Sequence, residues 1–258
     1  MTSIWQRRAL VAIVVSLACL YAASAEAQAG QSELTRQLLH GDRGEQLMAA
    51  EVARGIGGRN IDEKLRGALI EVLEREGRLD AQRRRGDIGF LDNPELIARL
   101  ALVVAELRDP RAIPALAGAV HTSPPAAKAL AAFGEPAAAA VLEVANSRGQ
   151  TAVVNSGLIT LRLMIEGAGK RPLSPGTRQE IRQVAQRHMS AEYSVTTLWR
   201  SIDLAVVLDD PEIRRMVELL ATDRNEVIAR GVTEPDLIEQ TQKRARERLA
   251  GVPPLPRS

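Results

Sequence analysis

Proline locks its own φ and has no backbone N–H, so it is tolerated at the start of a helix and excluded from its interior. This chain meets that constraint twice at a fixed interval. Pro110 and Pro136 lie 26 residues apart, each directly behind an acidic residue, Asp109 and Glu135. The same shift lays Val104 on Leu130, Ala105 on Ala131, Leu107 on Phe133, Ala112 on Ala138 and Leu116 on Leu142. The pattern is an apolar helix, a turn and a second helix. An Asp before the proline suits a helix start, because its carboxylate accepts first-turn N–H groups. Gly134, just past Phe133, suits a helix end that needs a left-handed residue.

A weaker third copy begins at Leu208-Asp209-Asp210-Pro211-Glu212-Ile213-Arg214-Arg215. Together with Asp109-Pro110-Arg111-Ala112-Ile113-Pro114-Ala115-Leu116 and Ala129-Leu130-Ala131-Ala132-Phe133-Gly134-Glu135-Pro136, it resembles the HEAT-repeat family, in the short form first noted in phycobilin lyases. The close likeness spans about 55 residues, from Asn93 to Ser147. It implies an all-α fold, a curved α-solenoid of stacked antiparallel helix pairs with an extended concave surface. The resemblance further implies a scaffold that holds a protein or peptide partner on the face lined by second helices. Arg111, Pro114, His121, Glu135 and Glu143 are the partner-binding candidates on that face. In phycobilin lyases the repeat shell cradles a bilin and assists its attachment to a cysteine of another protein. The alternative is therefore a bilin lyase-like enzyme or chaperone handling a small ligand. Such a site wants Arg, His and aromatic groups, and likeness of fold alone is a weak warrant for activity.

The first 25 residues read as a secretory signal peptide. Arg7-Arg8 precede an apolar run from Ala9 to Leu20, and Ala23-Ser24-Ala25 is a small-x-small cleavage site. That run is short for a membrane span, which needs about 20 residues. The expected location is periplasmic or secreted. The chain counts 34 basic and 32 acidic residues, with Arg7 and Arg8 in the leader and no acid before Glu26. Beyond the leader the charges balance, and net charge does not argue for nucleic acid. The lone cysteine, Cys19, sits in the leader, so no disulfide is available and stability must come from packing. Beyond the leader the only aromatics are Phe90, Phe133, Tyr193 and Trp199, which leaves Leu, Ile, Val and Ala to build the core.

The chain divides into the leader at 1–25, an amino-terminal helical region at 26–92 with capping helices and a basic loop, helical repeats at 93–250, and a Pro-rich tail at 251–258. Gln28 to His40 reads as a loose arm that becomes a short helix. Gly41 to Gly55 reads as a helix with Leu47, Met48 and Val52 inward. Asp62 caps the next, with Leu65, Leu69, Val72 and Leu73 on one face, and its Glu71, Glu74 and Glu76 meet water. Gly77 to Asp92 is the least regular internal segment. Its triplet Arg83-Arg84-Arg85 is a candidate contact with an anionic membrane surface, set against a solvated linker. Asn93-Pro94 opens a helix with Leu96, Ile97, Leu100, Val103, Val104 and Leu107 inward. Val153 to Ile165 is apolar nearly all round, as a helix between neighbours requires. Helices follow at Thr177–His188, Ser194–Leu208, Pro211–Ala221 and Glu234–Leu249. The last places Leu237, Ile238, Thr241, Ala245 and Leu249 inward and sends its charges to water. No segment alternates with period two, so no sheet is expected.

Motifs for chemistry are absent from the sequence. His40, His121 and His188 stand apart and read as surface or loop residues, so no metal is assigned. Gly169-Lys170 lacks the first glycine and the hydroxyl of a phosphate loop, and Asn155-Ser156-Gly157 lacks the first glycine of a nucleophile elbow. Asp209-Asp210 reads as a helix cap rather than a cation site, and Trp199 as a core residue. No cofactor is assigned.

Overall fold

The computed structural model describes residues 28–84, 94–147, 150–167, 172–192 and 194–251, with only the backbone of residues 83 and 84. The expected signal peptide, the side chains of the arginine triplet and the Pro-rich tail after Gly251 lie outside the described residues. Within them the regular structure is helical and no strand occurs. The elements are α1 (28–40), α2 (Arg43–Ile56), α3 (Glu63–Arg84), α4 (Pro94–Leu107), a 3-10 turn at Pro110–Ala112, α5 (Ile113–Ala119), α6 (Pro124–Phe133) and α7 (Glu135–Ala145). They continue as α8 (Thr151–Gly167), α9 (Pro175–Arg187), α10 (Val195–Val207), α11 (Pro211–Thr222), α12 (Arg224–Ala229) and α13 (Pro235–Ala250).

The repeat is visible as one turn built three times. Each copy ends a helix on a buried or half-buried apolar residue: Leu107, Phe133 or Leu208. The next residue takes positive φ (Arg108 at 52°, Gly134 at 67°, Asp209 at 55°), then come an acid and proline. Only Gly134 adopts that region without a steric penalty, yet Arg108 and Asp209 are held there too. Asp109 accepts from the Arg111 N–H at 3.0 Å, and Asp210 accepts from the Glu212 and Ile213 N–H groups at 3.1 and 3.0 Å. Glu135 departs from the pattern. It is the first residue of α7, and its carboxylate turns to a neighbouring helix instead of capping its own. Equivalent inward positions share burial: Ala112, Ala138 and Ile213 are buried, as are Leu116, Leu142 and Val217.

Packing follows chain order. One series of contacts joins α2, α4, α6, α8 and α10. A second joins α3, α5, α7 and α9, and sequential helices link the two. α13 closes the carboxy-terminal end on α10 and α11. At the other end α1 buries Leu34 and Leu38 and is tied by amides. Gln46 Nε2 donates to the Leu38 carbonyl at 3.1 Å, while Gln31 donates to the Asn60 carbonyl and accepts from the Asp62 N–H. α8 packs on α6, α7 and α10 and keeps Arg162 and Glu166 partly in solvent.

Several local expectations need correction. The arm at 28–40 is helical throughout its length. α2 turns Met48 and Val52 outward, at 63% and 48% exposure, and buries Gln46, Ala49, Ala50 and Ala53 instead. Small residues let α2 sit close on α4, and the bulkier ones are left outside. α3 does not stop at Gly77 but runs to Arg84. Gly77 lies inside the helix where it crosses α5 at Gly118, and a Cβ there would make ordinary contact at 3.4 Å. Glu76 is buried, not solvated, and pairs with Arg43 at 2.8 Å and Arg75 at 3.5 Å. A short extra helix, α12, sits between α11 and α13.

Leu116 lies fully buried where α5 meets α3, α6 and α7. Leu116→Asp would place an unpaired carboxylate there, and we expect a loss of about 4 kcal/mol or more. Urea denaturation followed by circular dichroism checks this, and a variant as stable as the parent would mean that the register is wrong.

Candidate functional site

The five residues singled out in the sequence do not close round one space. Arg111 and His121 flank α5 at opposite ends, and Glu135 and Glu143 sit near opposite ends of α7. Pro114 and Glu143 are exposed. The other three tie adjacent helices together. Arg111 forks onto Asp109, with Nη2 at 2.6 Å, and reaches back to Glu63 at the start of α3, also at 2.6 Å. The Arg111 guanidinium holds the Asp109 carboxyl below its usual range, and the two carboxylates hold the guanidinium pKa up. His121 lies 3.0 Å from Asp80 of α3. Glu135 accepts from the Thr177 hydroxyl at 2.6 Å and from the Ser174 N–H and hydroxyl at 2.9 and 2.8 Å. These bonds lower the Glu135 pKa and fasten the start of α9 to the start of α7. Arg182 of α9 continues the lacing to Asp210 at 3.3 Å and to Glu212 of α11. Arg111, His121, Glu135 and Arg182 thus each bond across to a neighbouring helix or its start.

The other row carries a different arrangement. Asp203 lies on α10 between Ile202 and Leu204 and is only 3% exposed. Four arginines from three helices converge on it. Arg244 of α13 donates from Nε to Oδ1 at 3.1 Å and from Nη2 to Oδ2 at 2.6 Å, a bidentate fork. Arg248, one turn further, donates from Nε to Oδ1 at 2.7 Å. Arg200 of α10 and Arg162 of α8 stand at 3.6 and 3.9 Å, at ion-pair distance only. Arg162 also lies 3.4 Å from Glu166. Beside them, the Trp199 indole N–H donates to the Thr241 hydroxyl at 2.9 Å, and the Arg244 guanidinium sits 5.8 Å from the ring centroid. Trp199 is therefore half-buried against the core with one polar edge satisfied, and its ring carries a cation.

Sequence reading missed this cluster and sent the α13 charges to water. The available signal was Asp203, a lone acid in the apolar run Ser201-Ile202-Asp203-Leu204-Ala205-Val206. A buried carboxylate must be paired, but its partners lie 41 and 45 residues away on α13 and cannot be identified from spacing. α8, which carries Arg162, also lines an open groove of about 440 Å³ against α6, with Lys128, Ala131, Leu163 and Met164 among its walls. Among the described residues no group of three His, Cys, Asp or Glu is placed to hold a metal, and no helix is long and apolar enough to cross a membrane. What the arrangement offers chemically is a set of fixed guanidinium donors beside an aromatic face. Family models, curated proteins and solved structures each return no match to this chain.

His188 corrects another expectation, being buried rather than on the surface. It follows α9, and its Nε2–H donates to the Ala145 carbonyl at the end of α7 at 2.9 Å. Burial pushes its pKa down, the bond to Ala145 opposes this, and the Arg187 charge adds to the lowering. The unfolded chain therefore takes up a proton at this site before the folded chain does. Stability falls as the pH drops below the ordinary histidine value of about 6.5. Urea midpoints measured between pH 7 and pH 5 should decline more steeply in the parent than in His188→Gln, whose amide keeps a neutral donor. Equal slopes would show that His188 does not contribute.

Proposed function

We propose that this chain is an exported, non-enzymatic scaffold, a HEAT-like α-solenoid of stacked helix pairs that holds a protein or peptide partner. The observation that carries the reading is the packing order. Helices contact their neighbours in the chain and the next but one, and three pairs are joined by the same positive-φ, acid and proline turn. A chain packed this way exposes two long rows of helices instead of enclosing a pocket, and extended surfaces of that kind suit macromolecular partners. Export rests on the basic, apolar and small-residue order of the leader. The non-enzymatic reading rests on the failed motif searches, with no nucleophile and base at a known spacing. Arg111, Glu135 and Arg182 of the first row are held by neighbouring elements, while the α8, α10 and α13 face gathers four arginines on one carboxylate. We place the partner on the latter face.

Cross-linking in intact cells that express the tagged full chain, followed by mass spectrometry of the envelope fraction, tests this reading. The expected result is one dominant protein partner with links gathered on one row of helices. Recovery of the protein solely from the cytosolic fraction would overturn export, and the absence of any protein cross-link would overturn the scaffold.

A further inference from the structure

We propose that the arginines gathered around Asp203 form a receptor for carboxylates of an acidic, apolar peptide segment. This rests on the protein-binding reading and adds the chemistry of the ligand.

The first support is the charge balance. Arg162, Arg200, Arg244 and Arg248 converge on one buried carboxylate, with Glu166 the other acid in ion-pair contact. Two positive charges remain unmatched in a space where the guanidinium groups repel one another. Fixing α13 to α10 calls for the Arg244 fork and the Arg248 bond alone. Arg200 and Arg162 stand at ion-pair distance from Asp203 and are not part of that hydrogen-bonded clamp. They raise the local positive potential, and an incoming anion offsets it.

The second support is access. All four arginines keep part of the side chain in solvent, between 24% and 43%, while Asp203 does not. Asp203 thus acts as a positioning residue. It engages Nε and Nη2 of Arg244 and Nε of Arg248, which leaves Nη1 of Arg244 and both terminal nitrogens of Arg248 without a hydrogen bond to it and open to a second carboxylate. The guanidinium fork matches the two oxygens of a planar carboxylate, and Asp203 shows that this cradle accepts one.

The third support selects the class of ligand. The Trp199 face lies against Arg244, and the α6–α8 groove with Leu163 and Met164 shares α8 with Arg162. A ligand that uses both features has apolar side chains next to its carboxylates. A peptide segment has them and a free phosphate does not.

The test is calorimetric titration of the full chain with a short amidated peptide of alternating leucine and glutamate, its leucine–glutamine counterpart, and inorganic phosphate. The glutamate peptide should bind, weaken as salt is raised, and outcompete both others. Arg162→Gln/Arg200→Gln should lose at least tenfold in affinity and keep a folded thermal transition, because Arg244 and Arg248 retain the hydrogen bonds to Asp203. Arg215→Gln, on the exposed side of α11, should bind as the parent does. If the double variant melts early, Arg200→Lys replaces it, and a loss of affinity with charge retained then reports the fork. Equal binding of the glutamine peptide, phosphate binding as tight as the peptide's, or full affinity in the arginine variants would each overturn the proposal. Those outcomes leave a cross-linked partner standing, so failure here is distinct from failure of the scaffold reading.

Discussion

Close approach of helix backbones is the constraint on which this structure depends. The chain has few aromatic side chains to fill wide gaps, so layers must meet through Ala and Gly. A Cβ on Gly157 of α8 would lie 2.5 Å from the Ala145 nitrogen of α7, and one on Gly58 would lie 2.5 Å from the Glu106 carbonyl oxygen. Neither distance is tolerated by a real side chain. Glycine inside α8 costs about 1 kcal/mol of helix propensity. That cost is offset because the fully buried Leu158 and Leu161 beside it are each worth about 1.5–3 kcal/mol of burial.

Once the backbones lie this close, polar groups at the layer boundaries must find partners across them. His188 spans to Ala145, the Ser201 hydroxyl donates to the Ala185 carbonyl, and the Thr197 hydroxyl donates to Asn155 at 2.9 Å. Each bond joins one layer to the next and helps set their register. Helix starts do the same at the surface, where Glu135 and Arg111 bond to neighbouring elements. A residue type that looks available in sequence is already committed in three dimensions.

The two rows therefore differ in what they leave over. Along α3, α5, α7 and α9, Arg111 pairs with Glu63, and Glu135 bonds to Ser174 and Thr177. At α8, α10 and α13, four cations share one buried anion. An imbalance of this kind is costly in an interior and useful at a surface that meets an anion, since a charged pair in a partly desolvated setting is worth more than one in open water.

Much of the helical order was legible from residues alone. Asp62 caps its helix, Asp210 caps α11, and the inward positions Leu96, Ile97, Leu100, Val103, Val104 and Leu107 are all buried. These features act within a turn or two of the chain: proline fixes φ, an acid caps the next three residues, and apolar side chains repeat every three or four. Tertiary structure decided the rest. It turned Met48 and Val52 outward because α2 packs through its alanines, carried α3 through Gly77 to Arg84, and buried Glu76 and His188. It also brought Arg244 and Arg248 to Asp203 across 41 and 45 residues. Local periodicity holds no information about such pairings, because they arise only when the stacking of whole helices sets which faces meet.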